Sequence, residues 1–320
     1  MKELLLFYAL VLLFFPIMSM AQAKSAAAVD LISTHGVFLD MVYNRADGMD
    51  LKLDIYAPKA NFPSNALALS GSKKKAVPTL VYFHGGGWTY GSKDSAVLQL
   101  MPFLQKGWAA VAVQYRLVGE ALAPAAVEDT RCATWWVKRN ANEYGFDPDR
   151  IVLSGSSSGG HLALITGMLT ADAGLDTRCP GRQEKSHTDD PAAEFPELNV
   201  AAIVNWSGIT DVNDLIKGPN MKVYASKWLG GGDNREMVAK KVSPISYIRK
   251  HLPAILTVHG ENDKAVPYRH AVRLHKLLDK NGIPNQLHTV KGGGHGEFSV
   301  TETRDAFNVI NRFLAKHVGG

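Results

Sequence analysis

From Val77 onward, short apolar runs alternate with segments of helical spacing, and this alternation restricts the fold more than any other feature of the sequence. Continuous apolar runs at 77–83 and 108–115 are typical of strands that are covered on both faces. Apolar residues with helical spacing follow each run, at 95–106 and 124–144. Strands and helices in alternation form a mostly parallel sheet with helices on both faces. The pattern therefore predicts an α/β fold.

The alternation continues to the end of the chain, and a hairpin precedes it. Further strands are predicted at 150–153, 200–206, 254–259 and 286–290. Further helices are predicted at 161–169, 268–280 and 303–316. Before Val77, polarity alternates on both sides of Asp47-Gly48, which predicts an antiparallel β-hairpin with strands near 37–44 and 50–57. The segment at 59–76 is rich in small and polar residues and is predicted to be a surface loop.

The N-terminus has the pattern of an export signal. Residues 4–18 are almost unbroken apolar, Lys2 precedes them, and Ala21-Gln22-Ala23 supplies the small residues of a cleavage site. The apolar run is shorter than the ~20 residues that span a bilayer. This favours cleavage near Ala23 over a membrane anchor. We therefore expect a signal peptide over 1–23, no stable membrane anchor, and a secreted or periplasmic protein.

Length and composition indicate one globular domain over the remaining residues, 24–320. The chain has 320 residues, of which 46% are hydrophobic and 20% charged, and one α/β domain commonly reaches this size. Residues 172–198 lack periodicity, and such a long irregular stretch predicts a lid or rim insertion. Cys132 and Cys179 would form a disulfide in an oxidising compartment or remain two buried thiols, and the sequence leaves both open.

The charge distribution argues against nucleic-acid binding. The net charge is +5, but the basic residues are dispersed along the chain. The one basic run, at 73–75, lies in a predicted loop and is typical of a solvated turn. We therefore expect a small-molecule partner and no nucleic acid.

A G-x-S-x-G motif at 155–159 supplies a candidate nucleophile. It lies between a predicted strand and a predicted helix, where this motif forms a sharp turn that exposes the serine hydroxyl. Small residues are needed two positions on either side, because the strand and helix backbones crowd there. Only Ser157 has glycine at both positions, whereas Ser156 and Ser158 have serine at one or both. Ser157 is therefore the predicted nucleophile.

The run His84-Gly85-Gly86-Gly87-Trp88 directly follows the strand at 77–83. Acyl transfer places negative charge on a carbonyl oxygen, and fixed backbone N–H groups stabilise that charge. Glycines let the backbone approach the oxygen closely. We predict an oxyanion hole made by the N–H groups of Gly85, Gly86 and Ser158. Trp88 is equally compatible with core packing and with substrate binding.

A nucleophilic serine needs a base and an orienting carboxylate, which follow it in the order acid, then histidine. His295 lies in a glycine-rich loop after the last predicted strand and is the predicted base. Asp263, after the strand at 254–259, is the preferred acid, with Glu261 and then Asp211 as alternatives. Two other strand-end histidines precede glycines in turns and are interpreted as structural. They are His84 and His259.

Together these motifs resemble α/β-hydrolase carboxylesterases, from about Val37 to the C-terminus. The nearest groups are the bifunctional xylan esterase/feruloyl esterase-like proteins and the hormone-sensitive-lipase-like esterases. The resemblance is carried by HGGGW at 84–88, Tyr115-Arg116-Leu117, Pro124 to Asp129, GSSSGG at 155–160, Asp263 with Val266-Pro267, and His295-Gly296.

The resemblance implies an eight-stranded sheet and hydrolysis of acyl esters without a metal or other cofactor. It also implies that Asp129 braces the active-site loops. Ser156 departs from the hormone-sensitive-lipase pattern, which has Asp or Glu there, and the short N-terminal segment favours the feruloyl/xylan-esterase-like group.

The resemblance implies cleavage of short-chain or plant cell-wall-type (acetyl or feruloyl) esters, free or linked to polysaccharide, and the motifs predict an acyl-enzyme on Ser157. Because His295 must be neutral to act as the base, activity is expected to fall below about pH 6–7. The alternatives are a kynurenine-formamidase-like amidase, a serine peptidase, a true lipase and a non-catalytic ligand-binding relative. The polar segment at 172–198 disfavours the lipase.

Overall fold

A computed structural model describes residues 34–61, 76–180 and 197–319, and a central sheet of eight strands runs through this part of the chain. The strands are β1 (His35–Ala46), β2 (Met49–Pro58), β3 (Val77–Phe83), β4 (Ala109–Val113), β5 (Phe146–Ser156), β6 (Ala202–Trp206), β7 (Ala254–Gly260) and β8 (Asn285–Val290). Their spatial order is β1-β2-β4-β3-β5-β6-β7-β8. β1 and β2 pair antiparallel, as do β2 and β4, and every later pairing is parallel.

Helices cover both faces of the sheet. They are α1 (Val97–Leu104), α2 (Ala125–Arg139), α3 (Ala141–Tyr144), α4 (Ser158–Met168), α5 (Val223–Leu229), α6 (Arg235–Lys241), α7 (Arg269–Lys280) and α8 (Val300–His317). Successive side chains of β3 point to opposite faces, so Leu80 and Tyr82 join the core under α1 and α8, while Val81 and Phe83 join the core under α2 and α4. The predicted mostly parallel sheet with helices on both faces is confirmed.

The N-terminal hairpin has the predicted turn. Ala46 pairs with Met49, which leaves Asp47 and Gly48 as a two-residue turn. Both have positive φ, at 51° and 78°, as the tight turn that matches the strand twist requires. The antiparallel hairpin is therefore confirmed, with strands slightly longer than predicted.

Helix boundaries differ from the predictions where caps intervene. The predicted helix at 124–144 is divided into α2 and α3 at Asn140 and ends at Gly145, whose φ is 72°. The last helix begins three residues earlier than predicted, because Ser299 and Glu302 form a reciprocal capping box. Two helices between β6 and β7, α5 and α6, were not predicted. Each has only seven residues, too few to show a clear period.

The described residues settle the cysteine question. Cys132 in α2 and Cys179 are joined by a disulfide that ties the helix to the start of the predicted lid segment. The predicted signal peptide at 1–23 and most of the loop at 59–76 lie outside the described residues, as does the lid from 181 to 196. Among the described helices, none combines the length and apolar character needed to cross a membrane.

Candidate active site

Ser157 lies in a tight turn between β5 and α4, with φ 56° and ψ −119°. A non-glycine residue in such a conformation is strained, by about 1–3 kcal/mol. Neighbouring backbone enforces the turn. A Cβ on Gly155 would lie 2.6 Å from the Phe83 carbonyl oxygen, and one on Gly159 would lie 2.0 Å from the same atom. The two glycines of the motif are therefore required by close packing against the end of β3.

Ser157, His295 and Asp263 form a continuous hydrogen-bonded chain. Ser157 Oγ lies 2.9 Å from His295 Nε2, and His295 Nδ1 lies 2.6 Å from Asp263 Oδ2. His295 lies in the loop after β8, and Asp263 lies in the loop after β7. Both residues therefore come from the carboxyl ends of neighbouring parallel strands. The carboxylate fixes the tautomer: because Oδ2 can only accept, Nδ1 donates, and Nε2 is left to accept the serine proton.

The Asp263 carboxylate is held by its own loop. Its Oδ1 accepts hydrogen bonds from the backbone N–H groups of Ala265 and Val266, both at 2.8 Å. Burial raises the pKa of Asp263, but hydrogen bonds from His259, His295 and the Val266 N–H outweigh this and hold the pKa well below its ordinary value. The group is therefore an ionised acceptor throughout the neutral range.

The other two candidate acids lie elsewhere. Glu261 is exposed and accepts from the Gly292 N–H at 3.2 Å. Asp211 forms an ion pair with Arg273 at 2.7 Å. Of the three carboxylates that the sequence leaves open, the structure brings only Asp263 to His295.

The glycine run after β3 is held in place by His84. The His84 Nδ1 lies 2.8 Å from the Gly85 carbonyl oxygen, so this nitrogen carries the proton and donates it. The Tyr115 hydroxyl donates to the His84 carbonyl at 2.7 Å, and its ring stacks on the imidazole. The carbonyl and N–H of one peptide point in opposite directions. Tethering the Gly85 carbonyl therefore directs the Gly86 N–H away from His84.

Gly86 and Gly87 adopt conformations that favour glycine, with φ of 125° and 60°. The Gly86 carbonyl accepts from the N–H groups of Thr89 and Tyr90, which closes the loop into a turn. On the other side, Ser158 begins α4, where the first N–H groups have no acceptor within the helix. The predicted oxyanion residues thus lie on two elements that flank Ser157, the loop after β3 and the first turn of α4.

We expect Gly86→Ala to reduce kcat about 10²- to 10³-fold, the usual effect of losing one oxyanion donor. A Cβ on Gly86 would lie 1.9 Å from the Tyr90 carbonyl oxygen, so the loop must shift. KM should change little. The control is Gly119→Ala, whose added Cβ has no atom within 4 Å. Steady-state kinetics of both variants provide the measurement, and equal losses would contradict an oxyanion role for this loop.

Trp88 is fully buried, and its ring stacks on Trp228 with centroids 4.0 Å apart. The ring of His161 packs edge-on against both indoles. A side chain enclosed in this way cannot contact a bound substrate. The suggestion that Trp88 binds substrate is therefore corrected: of the two roles that the sequence allowed, the structure gives Trp88 core packing.

Sequence reasoning missed Tyr224 of α5, which contacts both the glycine run after β3 and the loop that carries Asp263. Its ring lies under the glycine run, so that a Cβ on Gly87 would be 3.1 Å from Tyr224 Cβ. Its hydroxyl donates to the Ala265 carbonyl, in the Asp263 loop, at 2.9 Å. Because α5 itself had no clear sequence signal, this residue could not have been found from the motifs.

Asp129 forms a buried ion pair with Arg116. Three nitrogens of Arg116, two of the guanidinium group and its backbone N–H, donate to the carboxylate at 2.7–3.1 Å. Arg116 also reaches Asp47 in the hairpin turn, at 2.5 Å. Two residues farther along, the Val118 N–H donates to the Trp88 carbonyl at 2.9 Å. The contacts connect Asp129 to the loop that carries the glycine run.

A cavity of about 280 Å³ opens beside His295, between α1 and α8. Aromatic residues form much of its wall, and serine residues also line it. The lining includes Phe103, Ser156, Trp206, Ser207, Phe298 and Phe307. In the described part of the chain, no group of three or more His, Cys, Asp or Glu side chains is arranged to hold a metal ion.

Comparison with known proteins identifies esterases as relatives. Esterase LipQ of Mycobacterium tuberculosis is 27% identical over 252 residues, which are 76% of this chain and 54% of that protein. Carboxylic ester hydrolase LipM of the same organism, named as probable, is 27% identical over 75% of this chain and 52% of its own length. The chain thus spans about half the length of these curated relatives.

Solved structures give the same fold over nearly the whole length of the matched chains. Thermogutta terrifontis esterase 2, phosphorylated by paraoxon, matches with a TM-score of 0.65 at 26% identity and covers 88% of this chain and 94% of its own. These neighbours are α/β-hydrolase esterases, which confirms the predicted fold class. Residues 66–278 match the BD-FAE family. Because this match extends over more than half of the sequence, the chain belongs to the BD-FAE family.

Proposed function

We propose that this protein is a serine carboxylesterase. The single observation that carries the proposal is the hydrogen-bonded chain from Ser157 Oγ through His295 to Asp263, at 2.9 Å and 2.6 Å. A serine next to a neutral imidazole, which is in turn oriented by an ionised carboxylate, is the arrangement that activates a hydroxyl for acyl transfer. Similarity to mycobacterial esterases supports the same reaction class.

In the proposed reaction, His295 Nε2 takes the proton of Ser157 as its oxygen attacks the ester carbonyl. The N–H groups of Gly85, Gly86 and Ser158 stabilise the charge on the carbonyl oxygen. His295 then gives its proton to the leaving alcohol, which completes the acyl-enzyme. Water attacks the acyl group in the second step, with His295 again as base, and the acid is released.

The proposed substrates are short-chain or plant cell-wall-type esters, acetyl or feruloyl, free or attached to polysaccharide. The cavity beside His295 supports a short or aromatic acyl group, because aromatic side chains form much of its wall. Membership of the BD-FAE family agrees with this class. The esterase Est2 of Thermogutta terrifontis, one of the similar solved structures, was also solved with propionate bound.

We further propose an exported enzyme, with 1–23 as signal peptide, 24–320 as catalytic domain and 172–198 as its lid or rim. The Cys132–Cys179 disulfide supports export, because disulfides persist in oxidising compartments such as the periplasm and the extracellular space. Export is tested by N-terminal sequencing of the protein recovered from culture medium and periplasm. A mature chain that still begins at Met1 would contradict it.

The test of the function is a substrate panel. It contains p-nitrophenyl acetate, butyrate and laurate, methyl ferulate, acetylated xylan, N-formylkynurenine and a peptide anilide. The proposal predicts turnover of the short and aromatic esters, with little activity on laurate. Preferential cleavage of N-formylkynurenine would favour the amidase alternative over the esterase proposal. Preferential cleavage of the peptide anilide would favour the peptidase alternative. Binding without turnover of any compound would favour the non-catalytic alternative.

Whether the cavity beside His295 holds the acyl group is tested by a larger side chain on α8 that narrows the cavity. Thr303 lines the cavity, and Thr303→Trp places a large ring there. We expect kcat/KM for methyl ferulate to fall at least about 10-fold, as expected when a fitted pocket is filled, with a smaller change for p-nitrophenyl acetate. The control is Arg304→Trp, at the next position on α8, where the side chain is exposed. Parallel losses for both esters would show that this cavity does not hold the acyl group.

A further inference from the structure

His259, at the end of β7, contacts the same carboxylate oxygen as the candidate base. Its Nε2 lies 3.1 Å from Asp263 Oδ2, the atom that His295 Nδ1 approaches at 2.6 Å. The side chains of His259 and Asp263 are fully buried. Three hydrogen bonds reach this carboxylate, from the Ala265 and Val266 N–H groups on Oδ1 and from His295 Nδ1 on Oδ2, and His259 Nε2 adds a polar contact to Oδ2.

Geometry fixes the proton on His259. Its Nε2 faces two acceptors, Asp263 Oδ2 and the Val266 carbonyl oxygen at 3.0 Å, so Nε2 carries the hydrogen. Its Nδ1 is buried and has no hydrogen-bond partner among the described residues. A second proton there would lack an acceptor, which is unfavourable in a buried site. His259 therefore presents one N–H to the carboxylate.

Other titratable groups surround this pair. The Tyr268 ring packs edge-on against the His259 imidazole, with centroids 5.7 Å apart. His270, at the start of α7, interacts electrostatically with His259 and hydrogen-bonds to Asp214 at 3.0 Å. Burial lowers the pKa of His270. On the other side, Tyr224 of α5 faces Asp263, and burial raises the pKa of this phenol.

We propose that His259 is a positioning residue for the reaction: its Nε2–H orients Asp263 Oδ2 toward His295 and draws electron density from it. This inference rests on the proposed function of the Ser157–His295–Asp263 chain. The N–H competes with His295 for one oxygen and makes that oxygen a weaker acceptor. Without this N–H, Oδ2 would be a stronger acceptor for the His295 Nδ1–H, and the pH profile of a His259 variant reports that change.

The experiment compares His259→Leu, which removes the donor, with His259→Gln, which retains an N–H near the position of Nε2. We expect His259→Leu to lower kcat about 10- to 100-fold through loss of alignment, with KM unchanged because His259 touches no substrate. The acid limb of its kcat/KM profile should move to higher pH, by about 0.5–1 unit. His259→Gln should recover most of both effects.

His275 provides a matched control. It is also a buried histidine, but it hydrogen-bonds to Asn285 Oδ1 at 2.6 Å, and the structure places no contact between it and the triad. His275→Leu therefore reports the general effect of removing a buried imidazole. The proposal is overturned if His259→Leu and His275→Leu lose kcat equally and keep the wild-type acid limb. Melting temperatures of all variants identify any loss of fold.

A second readout does not depend on turnover. We expect the proton between His295 Nδ1 and Asp263 Oδ2, which are 2.6 Å apart, to give a far-downfield ¹H resonance in the substrate-free protein. We expect this resonance to move farther downfield in His259→Leu, because His295 becomes the only imidazole on that oxygen, and to stay near its wild-type position in His259→Gln. An unchanged resonance in His259→Leu would overturn the inference. Failure of the esterase proposal would instead appear as lack of turnover by the wild type.

Discussion

Ser157→Ala is expected to lower kcat for p-nitrophenyl butyrate by about 10⁴- to 10⁶-fold, the loss found when a triad serine is removed. The acyl-enzyme cannot form without the hydroxyl that lies 2.9 Å from His295 Nε2. KM should stay within a few-fold, because the binding surface is intact. Alanine has the same Cβ as serine and therefore bears the same backbone strain in this turn, so the fold should stay unchanged.

The neighbouring serine is the matched control. Ser156 precedes the nucleophile and lines the cavity beside His295. Ser156→Ala should keep most of the activity, because its hydroxyl is not part of the chain from His295 to Asp263. If Ser156→Ala were as inactive as Ser157→Ala, the choice between the serines of the motif would have to be revised.

Covalent labelling separates loss of the nucleophile from loss of structure. Paraoxon phosphorylates activated serine hydroxyls, so the proposed nucleophile should react with it. Mass spectrometry of the intact wild type should show one diethylphosphoryl group, and peptide mapping should place it on Ser157. Ser157→Ala should stay unlabelled while Ser156→Ala is labelled. Labelling of Ser157→Ala at another residue would identify a different nucleophile.

The positions of the proposed nucleophile, Ser157, and the proposed base, His295, could be predicted because local rules fix them. The turn at Ser157 requires glycine at 155 and 159, since an added Cβ at either position would meet the end of β3. Because this requirement concerns only the five consecutive residues 155–159, it can be recognised in the sequence. The base follows from chain order and from the position of His295 after the last strand. The alternation of apolar runs likewise predicted the six strands from β3 to β8, because each buried strand of a parallel sheet needs its own apolar segment.

The supporting contacts could not be predicted, because they join residues far apart in the chain. The sequence left three carboxylates open as the acid, and only the loop geometry brings Asp263 to His295. His84 and His259 were interpreted as structural, yet one tethers the glycine run and the other contacts the acid. Their roles depend on which atom each ring nitrogen faces, and spacing along the chain carries no such information.

Asp129→Ala is expected to lower the free energy of unfolding by about 3 kcal/mol, the lower end of the range for breaking a buried ion pair. The alanine leaves the Arg116 guanidinium group buried without its main partner. Asp47 and Glu128 offset part of this loss, since both lie within 4 Å of the same guanidinium group. Urea denaturation should show a lower midpoint with an unchanged slope.

The same change is expected to reduce activity, which distinguishes a brace of the site from general core stabilisation. Arg116 directly precedes the segment whose Val118 N–H holds the Trp88 carbonyl, so its displacement loosens the glycine run. The control is Glu128→Gln, which removes a partly exposed carboxylate 3.6 Å from Arg116. This change should alter the free energy of unfolding by less than about 1 kcal/mol. Asp129→Asn, which keeps an acceptor for the Arg116 N–H, should fall between the two. If all three variants had equal midpoints and wild-type kcat, Asp129 would not brace the site. If Asp129→Ala lost stability but kept kcat, the ion pair would stabilise the fold alone.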